Sequence, residues 1–279
     1  MKINWFPGHM TKALRTMENE MKTIDFVIYV LDSRAPISSV NPKFQALIGN
    51  KPIIYVLNKI DLSDDRETKK FQTYFTTENS HCLMLNCTQS GILKTIEKSA
   101  RTLCSSKIEK YKNKGLNAIL RCMVLGVPNS GKSTLVNNLC NISRAQTGNK
   151  PGVTKGKQWV RVAPDFEVLD TPGTLWPSFD EEWQGENLAL VGSIRDEVVD
   201  ISELALCLID KLQTLYPNAI KNRYNIDTDG LSSIEVYESV AQAKKFMLKR
   251  GEIDYERTAK MLIDDFRKTR LGKITLERI

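Results

Sequence analysis

The chain has 279 residues, of which 41% are hydrophobic and 26% charged, so it is neither disordered nor fibrous and is long enough for about two domains. The formal net charge of +7 favours a polyanionic partner such as RNA, although free soluble proteins also carry such charges. The six cysteines include no Cys-x-x-Cys pair, and no apolar run reaches the ~18 residues of a membrane span. We therefore expect a cytoplasmic protein with no zinc site and no membrane partner.

Apolar periodicity predicts alternating helices and strands up to residue 170. An amphipathic helix is expected over 10–23, followed by strands over 25–32 and 52–57 that are apolar on both faces. The series also contains helices at 42–48, 66–77 and beyond Gly91, and strands at 82–86, 119–125, 157–162 and 166–169. Such alternation is typical of an α/β fold with a parallel sheet.

A glycine-rich loop follows the strand at 119–125. Residues 126–133 have the spacing Gly-x-x-x-x-Gly-Lys-Ser, and a helix is predicted to follow them. Strand, loop and helix in this order form a phosphate cradle, with Lys132 near the β- and γ-phosphates and the Ser133 hydroxyl as a ligand of Mg²⁺. The predicted nucleotide contacts in this segment are Asn129, Ser130, Gly131, Lys132, Ser133 and Thr134.

The strand at 52–57 ends in the sequence Asn58-Lys59-Ile60-Asp61. Open α/β sheets bind ligands at the carboxyl ends of their strands. The Asp61 carboxylate can accept from N1–H and the 2-amino group of guanine together, a pair that adenine lacks. The Lys59 stem can lie over the base, and Asn58 can bond both the base and nearby loops. The sequence therefore predicts a guanine-reading loop here.

The strand at 166–169 leads into Asp170-Thr-Pro-Gly173. Asp170 can reach Mg²⁺ through water, and the Gly173 N–H can approach the γ-phosphate. Thr154 lies in the polar loop 145–156 and can ligate Mg²⁺ once the γ-phosphate orders that loop. An ordinary loop threonine remains the alternative for Thr154, because other Thr and Ser residues lie nearby.

The order of these motifs is circularly permuted. An ordinary GTPase places the phosphate loop first and the guanine-reading motif last, whereas here the motif at 58–61 precedes the loop at 126–133. The sheet survives this change if the usual termini are joined, and the Lys-rich segment 105–117 is the natural connector. The cut then falls just after Gly173, so the γ-phosphate contact leads directly into the rest of the chain.

The C-terminal third has a different character. Helical periodicity predicts helices over 197–215, 233–250 and 254–267, and no strand pattern follows residue 173. We therefore predict a GTPase domain over 1–178 and a smaller all-helical domain over 179–279. Basic runs at 244–250 and 267–273 lie on or beside the last helices and are candidates for RNA phosphate contacts.

With these motifs in this order, the chain resembles the ribosome biogenesis GTPase A (YlqF) family. The resemblance rests on the opening Trp5-Phe-Pro-Gly-His-Met10, on residues 170–177 and on the C-terminal segments 250–254 and 271–277, and it covers nearly the full length. It implies a GTPase that acts in late assembly of the large (50S) ribosomal subunit, with a C-terminal RNA-binding domain. The family's usual Ser-Ala-Lys base loop is matched loosely by Asn86-Cys87-Thr88, where backbone N–H groups would serve.

The catalytic group is not settled by the motifs alone. Many GTPases carry a water-orienting Gln directly after Asp-x-x-Gly, but Thr174 stands at that position and is too short for this role. The family resemblance implies His9 instead, and His81 is the other histidine of the chain. Asn129 resembles the asparagine of potassium-dependent GTPases, so K⁺ joins GTP, GDP and Mg²⁺ among the expected cofactors.

The sequence therefore predicts a monomeric assembly GTPase that binds rRNA of the large ribosomal subunit, with no DNA partner. The alternative is a non-ribosomal regulatory GTPase whose helical domain binds a protein. Basic helices favour RNA, whereas an acidic or apolar exposed face on the helical domain would favour the alternative.

Overall fold

The computed structural model describes residues 15, 17–144, 158–171, 175, 179, 181–249 and 251–279. A six-stranded sheet lies at its centre, with the strand order β3-β2-β1-β4-β6-β5. All neighbouring strands run parallel except β5, which is antiparallel to β6. The strands are β1 Phe26–Asp32, β2 Ile53–Asn58, β3 Ser80–Met84, β4 Leu120–Leu125, β5 Gln158–Ala163 and β6 Phe166–Asp170.

Helices connect the strands and form the C-terminal part. Residues 17–21 are helical, as predicted, whereas 10–14 and 16 of the predicted helix 10–23 lie outside the described residues. The next helices of the described residues are α1 Pro42–Ile48, α2 Asp65–Tyr74, α3 Ile92–Leu103, α4 Ser105–Lys112 and α5 Lys132–Arg144. The others are α6 Glu182–Leu190, α7 Ile201–Leu215, α8 Asn218–Tyr224, α9 Ser233–Ala243 and α10 Tyr255–Arg267, with a 3₁₀ turn at Asp196–Val198.

The central strand β1 shows why the sheet is covered on both faces. All seven of its residues are buried. Successive side chains point to opposite faces, so Phe26 and Ile28 enter one hydrophobic cluster with α3 and α5, whereas Val27 and Tyr29 enter another with α1 and α2. The α/β class that the sequence predicts is confirmed, and the sheet is parallel as predicted except for the edge strand β5.

A third hydrophobic cluster lies among α6–α10. It also contains Ala35, Val127 and Leu175, which come from the loop after β1, the phosphate loop and the segment after β6. The helical part therefore packs directly against the loops at the carboxyl edge of the sheet. The division at 178/179 stays a prediction.

The C-terminal segment 271–279 returns to those loops. Leu276 donates its N–H to the Arg34 carbonyl at 2.7 Å, and the Glu277 carboxylate accepts from the N–H of Ile37 at 2.6 Å and of Ser38 at 3.0 Å. Glu277 also accepts from the Asn187 amide of α6 at 3.1 Å. Its buried carboxylate therefore joins the helical part to the loop after β1.

Two local predictions need correction, and two helices were not predicted. The predicted helix 233–250 ends at Ala243, because Lys245 takes a left-handed conformation with φ 55° and the Phe246 N–H bonds the Ala241 carbonyl at 2.9 Å. Helices usually end this way at Gly, so a lysine gave no signal. The connector 105–117 is largely the helix α4, and α6 and α8 were not predicted.

Candidate nucleotide site

The predicted ligand loops meet in one cleft at the carboxyl edge of the sheet. Because β1, β2 and β4 run parallel, the loops that follow them leave the same edge. The cleft has a volume of about 430 Å³. Its lining residues are Asn58, Lys59, Asp61, Leu62, Asn86, Thr88, Asn129, Gly131, Lys132, Ser133 and Thr134.

The phosphate loop is held in a conformation that only glycine permits. Gly131 has a φ of 103°, and a Cβ built there would lie 2.0 Å from the Asn58 side-chain nitrogen. Lys132 is buried and donates its ammonium to the Val127 carbonyl at 2.7 Å. Ser133 and Thr134 are exposed at the start of α5, where the backbone N–H groups of a helix attract anions.

Asn58 joins three loops. Its side-chain nitrogen donates to the Ser130 carbonyl at 2.8 Å, and its side-chain oxygen accepts from the Cys87 N–H at 2.9 Å. The side chain is buried with 4% of its surface exposed. The loops after β2, β3 and β4 are therefore fixed relative to one another by one amide.

Two more residues of the guanine-reading motif, Lys59 and Asp61, line the cleft. Asp61 is exposed, so its carboxylate can meet a base edge. Lys59 has a left-handed backbone with φ 62°, and its ammonium donates to the Asn129 carbonyl at 2.7 Å. The same ammonium donates to the buried Asp32 carboxylate at 2.8 Å. The lysine therefore spans the gap between the guanine-reading loop and the phosphate loop.

The loop after β3 is fixed by its own polar groups. The Asn86 side-chain oxygen accepts from the Thr88 N–H at 3.0 Å and from its hydroxyl at 2.6 Å. Asn138 of α5 donates to the Cys87 carbonyl at 3.0 Å. Burial raises the pKa of the Cys87 thiol to about 12, so this cysteine is neutral and acts as a small apolar group.

Further contacts link the cleft to the helical part. The Asn129 side-chain amide donates to the Gly192 carbonyl at 2.7 Å, just beyond α6. The buried Arg34 donates to the Val191 carbonyl at 3.2 Å and pairs with Asp32. Sequence reasoning missed Asp32 and Arg34, although a charged pair at the end of a buried parallel strand was a usable signal for them.

Comparison with known proteins agrees with this geometry. A family model described as 50S ribosome-binding GTPase matches residues 121–229. Ribosome biogenesis GTPase A of Bacillus cereus is 37% identical over 99% of this chain and 94% of the relative, and the protein of the same name from Bacillus pumilus is 36% identical over 100% and 99%. The chain belongs to the ribosome biogenesis GTPase A family. It is therefore a GTPase that binds GTP and GDP.

A solved structure of YlqF from T. maritima, described as GNP-bound, has the same fold as this family member. The two share 24% identity and a TM-score of 0.65 over 96% of this chain and 98% of the other. The resemblance on which the sequence-based interpretation rests is confirmed.

Of the remaining predicted site residues of this ribosome biogenesis GTPase A homologue, only Asp170 belongs to the described part of the chain. Asp170 is the last residue of β6, and the next residue, Thr171, donates its hydroxyl to the Val124 carbonyl of β4 at 2.5 Å. This places the start of the Asp-x-x-Gly segment beside the strand that leads into the phosphate loop. His9, Thr154 and Gly173 lie outside the described residues. Their roles stay predictions.

Proposed function

We propose that this protein acts in late assembly of the large ribosomal subunit, docking on its rRNA with GTP bound and leaving after hydrolysis. Family membership supports the process. The observation that supports the partner is a lysine-rich turn at residues 244–249, directly after α9.

This turn carries three lysines; the ammonium of one of them, Lys244, lies over the Tyr224 ring, 5.3 Å from its centroid. Lys244, Lys245 and Lys249 are all exposed, and none of them takes part in an ion pair among the described residues. The turn is ordered by the Leu248 N–H, which donates to the Glu252 carbonyl at 2.7 Å. Exposed ammonium groups on an ordered turn are suited to RNA phosphates, because binding releases counterions from the nucleic acid.

The second basic run, at 267–273, is less suited to this role. Each of its cations contacts an acidic side chain of the chain itself: Arg267 with Asp196 at 2.6 Å, Lys268 with Asp264 at 2.9 Å, Arg270 with Asp265 at 2.7 Å and Lys273 with Asp65 at 3.1 Å. Phosphate would have to displace these carboxylates. The proposal therefore centres on the turn at 244–249.

Cosedimentation with large ribosomal subunits tests the proposal. Binding should be stronger with a non-hydrolysable GTP analogue than with GDP, and the double variant Lys245→Glu and Lys249→Glu should weaken it. Lys94→Glu with Lys98→Glu, at two exposed positions of α3, is the control with the same change of charge. Equal binding by both double variants and the wild type would contradict the proposed surface.

A second candidate is a regulatory GTPase whose helical part binds a protein. Two apolar side chains of the same turn favour it, because Met247 is 42% and Leu248 49% exposed. This candidate predicts that Met247→Ala with Leu248→Ala abolishes capture of a protein partner. It also predicts that Lys245→Glu with Lys249→Glu leaves binding to large ribosomal subunits unchanged.

The proposal for the nucleotide chemistry uses groups on both sides of the cleft. Lys132 would meet the β- and γ-phosphates, and Ser133, Thr154 and Asp170, the last through water, would hold Mg²⁺. The exposed hydroxyl of Ser133 in the cleft fits this role. His9 would orient the attacking water.

Asn129 would supply its amide oxygen to K⁺, since its nitrogen already donates to Gly192. GTPase rates in K⁺ and in Na⁺, for the wild type and Asn129→Ser, test this assignment. The proposal further includes a monomer in the cytoplasm and no DNA partner. Within the described parts of the chain, no helix combines the length and the apolar character needed to span a membrane.

A further inference from the structure

Asp32 lies at the carboxyl end of β1, beside the cleft but not in its lining. Its side chain is buried, with 1% of its surface exposed. Both carboxylate oxygens accept from the Arg34 guanidinium, at 2.9 and 2.8 Å, and one also accepts from the Lys59 ammonium at 2.8 Å. Burial alone would raise the pKa of Asp32, but the two cations outweigh this effect and hold the pKa well below its usual range. The group is therefore a charged carboxylate.

One of these cations belongs to the guanine-reading motif. The Lys59 ammonium has two described acceptors, Asp32 and the Asn129 carbonyl of the phosphate loop. Its side chain is 24% exposed. Without the carboxylate, the ammonium would keep only the neutral acceptor at the solvent boundary, and the lysine stem could leave the base plane.

The other cation leads to the helical part. Arg34 donates to the Val191 carbonyl at 3.2 Å, and the next carbonyl along the chain, that of Gly192, accepts from the Asn129 amide at 2.7 Å. The contacts close into a ring, which runs from Asn129 through Lys59, Asp32 and Arg34 to Val191–Gly192 and back to Asn129. We call this the Asp32 ring.

A further arginine fixes the helical side of the Asp32 ring. Arg267 of α10 donates to the carbonyls of Ala189 and Leu190 at 2.8 and 2.9 Å. Four successive carbonyls at the end of α6 thus each accept from a side chain, two of them from within the Asp32 ring. Helix ends carry carbonyls without intrahelical partners. Here the Gly192 carbonyl contacts the phosphate loop, whereas those of Ala189 and Leu190 contact α10.

We propose that Asp32 is a positioning residue for guanine nucleotide binding, which holds Lys59 over the base and, through the Asp32 ring, makes nucleotide release depend on the docking of α6. Asp32 does not touch the nucleotide in this proposal. It acts through Lys59 and the phosphate loop, so its loss should speed release of GDP and GTP rather than alter which base is chosen.

A double-mutant cycle on the release rate of a fluorescent GDP analogue tests the proposal. Asp32→Asn should speed release by about tenfold or more, since a hydrogen bond to a charged group is lost. In the background of Lys59→Met, which keeps the apolar stem, the same substitution should add little. Unchanged release by Asp32→Asn would overturn the assignment. Equal acceleration in both backgrounds would also overturn it, because the effect of Asp32 would then not depend on Lys59.

Asp25→Asn is the matched control. Asp25 directly precedes the same strand at its opposite end and pairs with Lys107 at 2.6 Å, so its substitution should leave release unchanged. If Asp32→Asn is recovered unfolded, Arg34→Lys replaces it. That variant keeps a buried cation but removes the guanidinium group, which donates to both Asp32 and the Val191 carbonyl. Faster release by folded Arg34→Lys supports the Asp32 ring, and wild-type release contradicts it.

Discussion

The side-chain amide of Asn58 donates to the Ser130 carbonyl at 2.8 Å, so the guanine-reading loop and the phosphate loop are joined directly. The contact is buried, and Gly131 lies so close that any Cβ there would collide with the amide. The two halves of the nucleotide site, which are about 70 residues apart in sequence, are therefore one unit in space.

Asn58→Ala should weaken GDP and GTP binding by about 10- to 100-fold, because it removes two buried hydrogen bonds and leaves the Cys87 N–H without its acceptor. Isothermal titration calorimetry measures the effect. Asn79→Ala is the control, since that amide bonds the Asn50 carbonyl at the far end of the sheet. Wild-type affinity in the Asn58 variant would show that the junction is dispensable.

Asp61→Asn should weaken GTP binding and favour the xanthine nucleotide, whose C2 carbonyl needs a donor. A two-point contact to a base edge is worth about 1–3 kcal/mol. Competition between the two nucleotides measures the preference. Asp65→Asn, an exposed carboxylate four residues on, should keep the preference for guanine. An unchanged preference in the Asp61 variant would refute the base-reading role.

Lys132→Ala should abolish turnover while the fold persists. Its ammonium is buried against the Val127 carbonyl at 2.7 Å, poised at the edge of the phosphate loop. Circular dichroism alongside a nucleotide titration separates loss of binding from unfolding. Full GTPase activity in a folded variant would be incompatible with a phosphate-binding lysine.

His9→Ala should keep GTP binding but lose stimulation by large ribosomal subunits, whereas Thr174→Ala should do far less. A positioned general base is worth roughly 10²- to 10⁴-fold, and threonine is too short to replace glutamine. GTPase rates of both variants, measured with and without large ribosomal subunits, show which residue supports stimulated hydrolysis. If large subunits stimulate His9→Ala as strongly as the wild type, the catalytic group is not His9 and lies elsewhere, for instance in rRNA.

The stability of the protein should carry a pH dependence that arises at Glu277. Burial outweighs the hydrogen bonds from Ser38, Ile37 and Asn187, so the pKa of Glu277 is raised in the folded protein. Above the unfolded-state pKa of about 4.3, the native protein then holds more protons than the unfolded chain. Protonation of Glu277 therefore stabilises the native protein at low pH. This contribution to the free energy of unfolding should be lost as the pH rises through the folded-state pKa.

Urea unfolding of the wild type and Glu277→Gln across this pH range measures the effect. The wild type should lose stability relative to the variant as the pH rises. The altered hydrogen bonds of the variant change its stability by the same amount at every pH, so they do not affect this trend. Glu109→Gln, at an exposed position on α4, controls for the loss of one carboxylate. Parallel curves for the wild type and the Glu277 variant would argue against a raised pKa.

The sequence alone determined the sheet, the permuted order and most of the nucleotide cleft. Strands such as β1 are apolar on both faces, and this pattern is local, as is the spacing of Gly126, Gly131 and Lys132 in the phosphate loop. Parallel strands bring their carboxyl ends to one edge, so the sequence alone predicts that the motifs at 58–61 and 126–133 lie at the same edge of the sheet.

Tertiary structure decided what holds those motifs and where the helical part docks. Lys245 takes a left-handed backbone after α9 although propensity disfavours it. The N–H groups of Lys245 and Phe246 bond the carbonyls of Gln242 and Ala241 at this helix end. Asp32 has a local partner in Arg34, but its contact with Lys59 and the contact of Asn129 with the Gly192 carbonyl join residues far apart in sequence. A hydrogen bond between residues distant in sequence leaves no local pattern, so the Asp32 ring could be found only once the chain was folded.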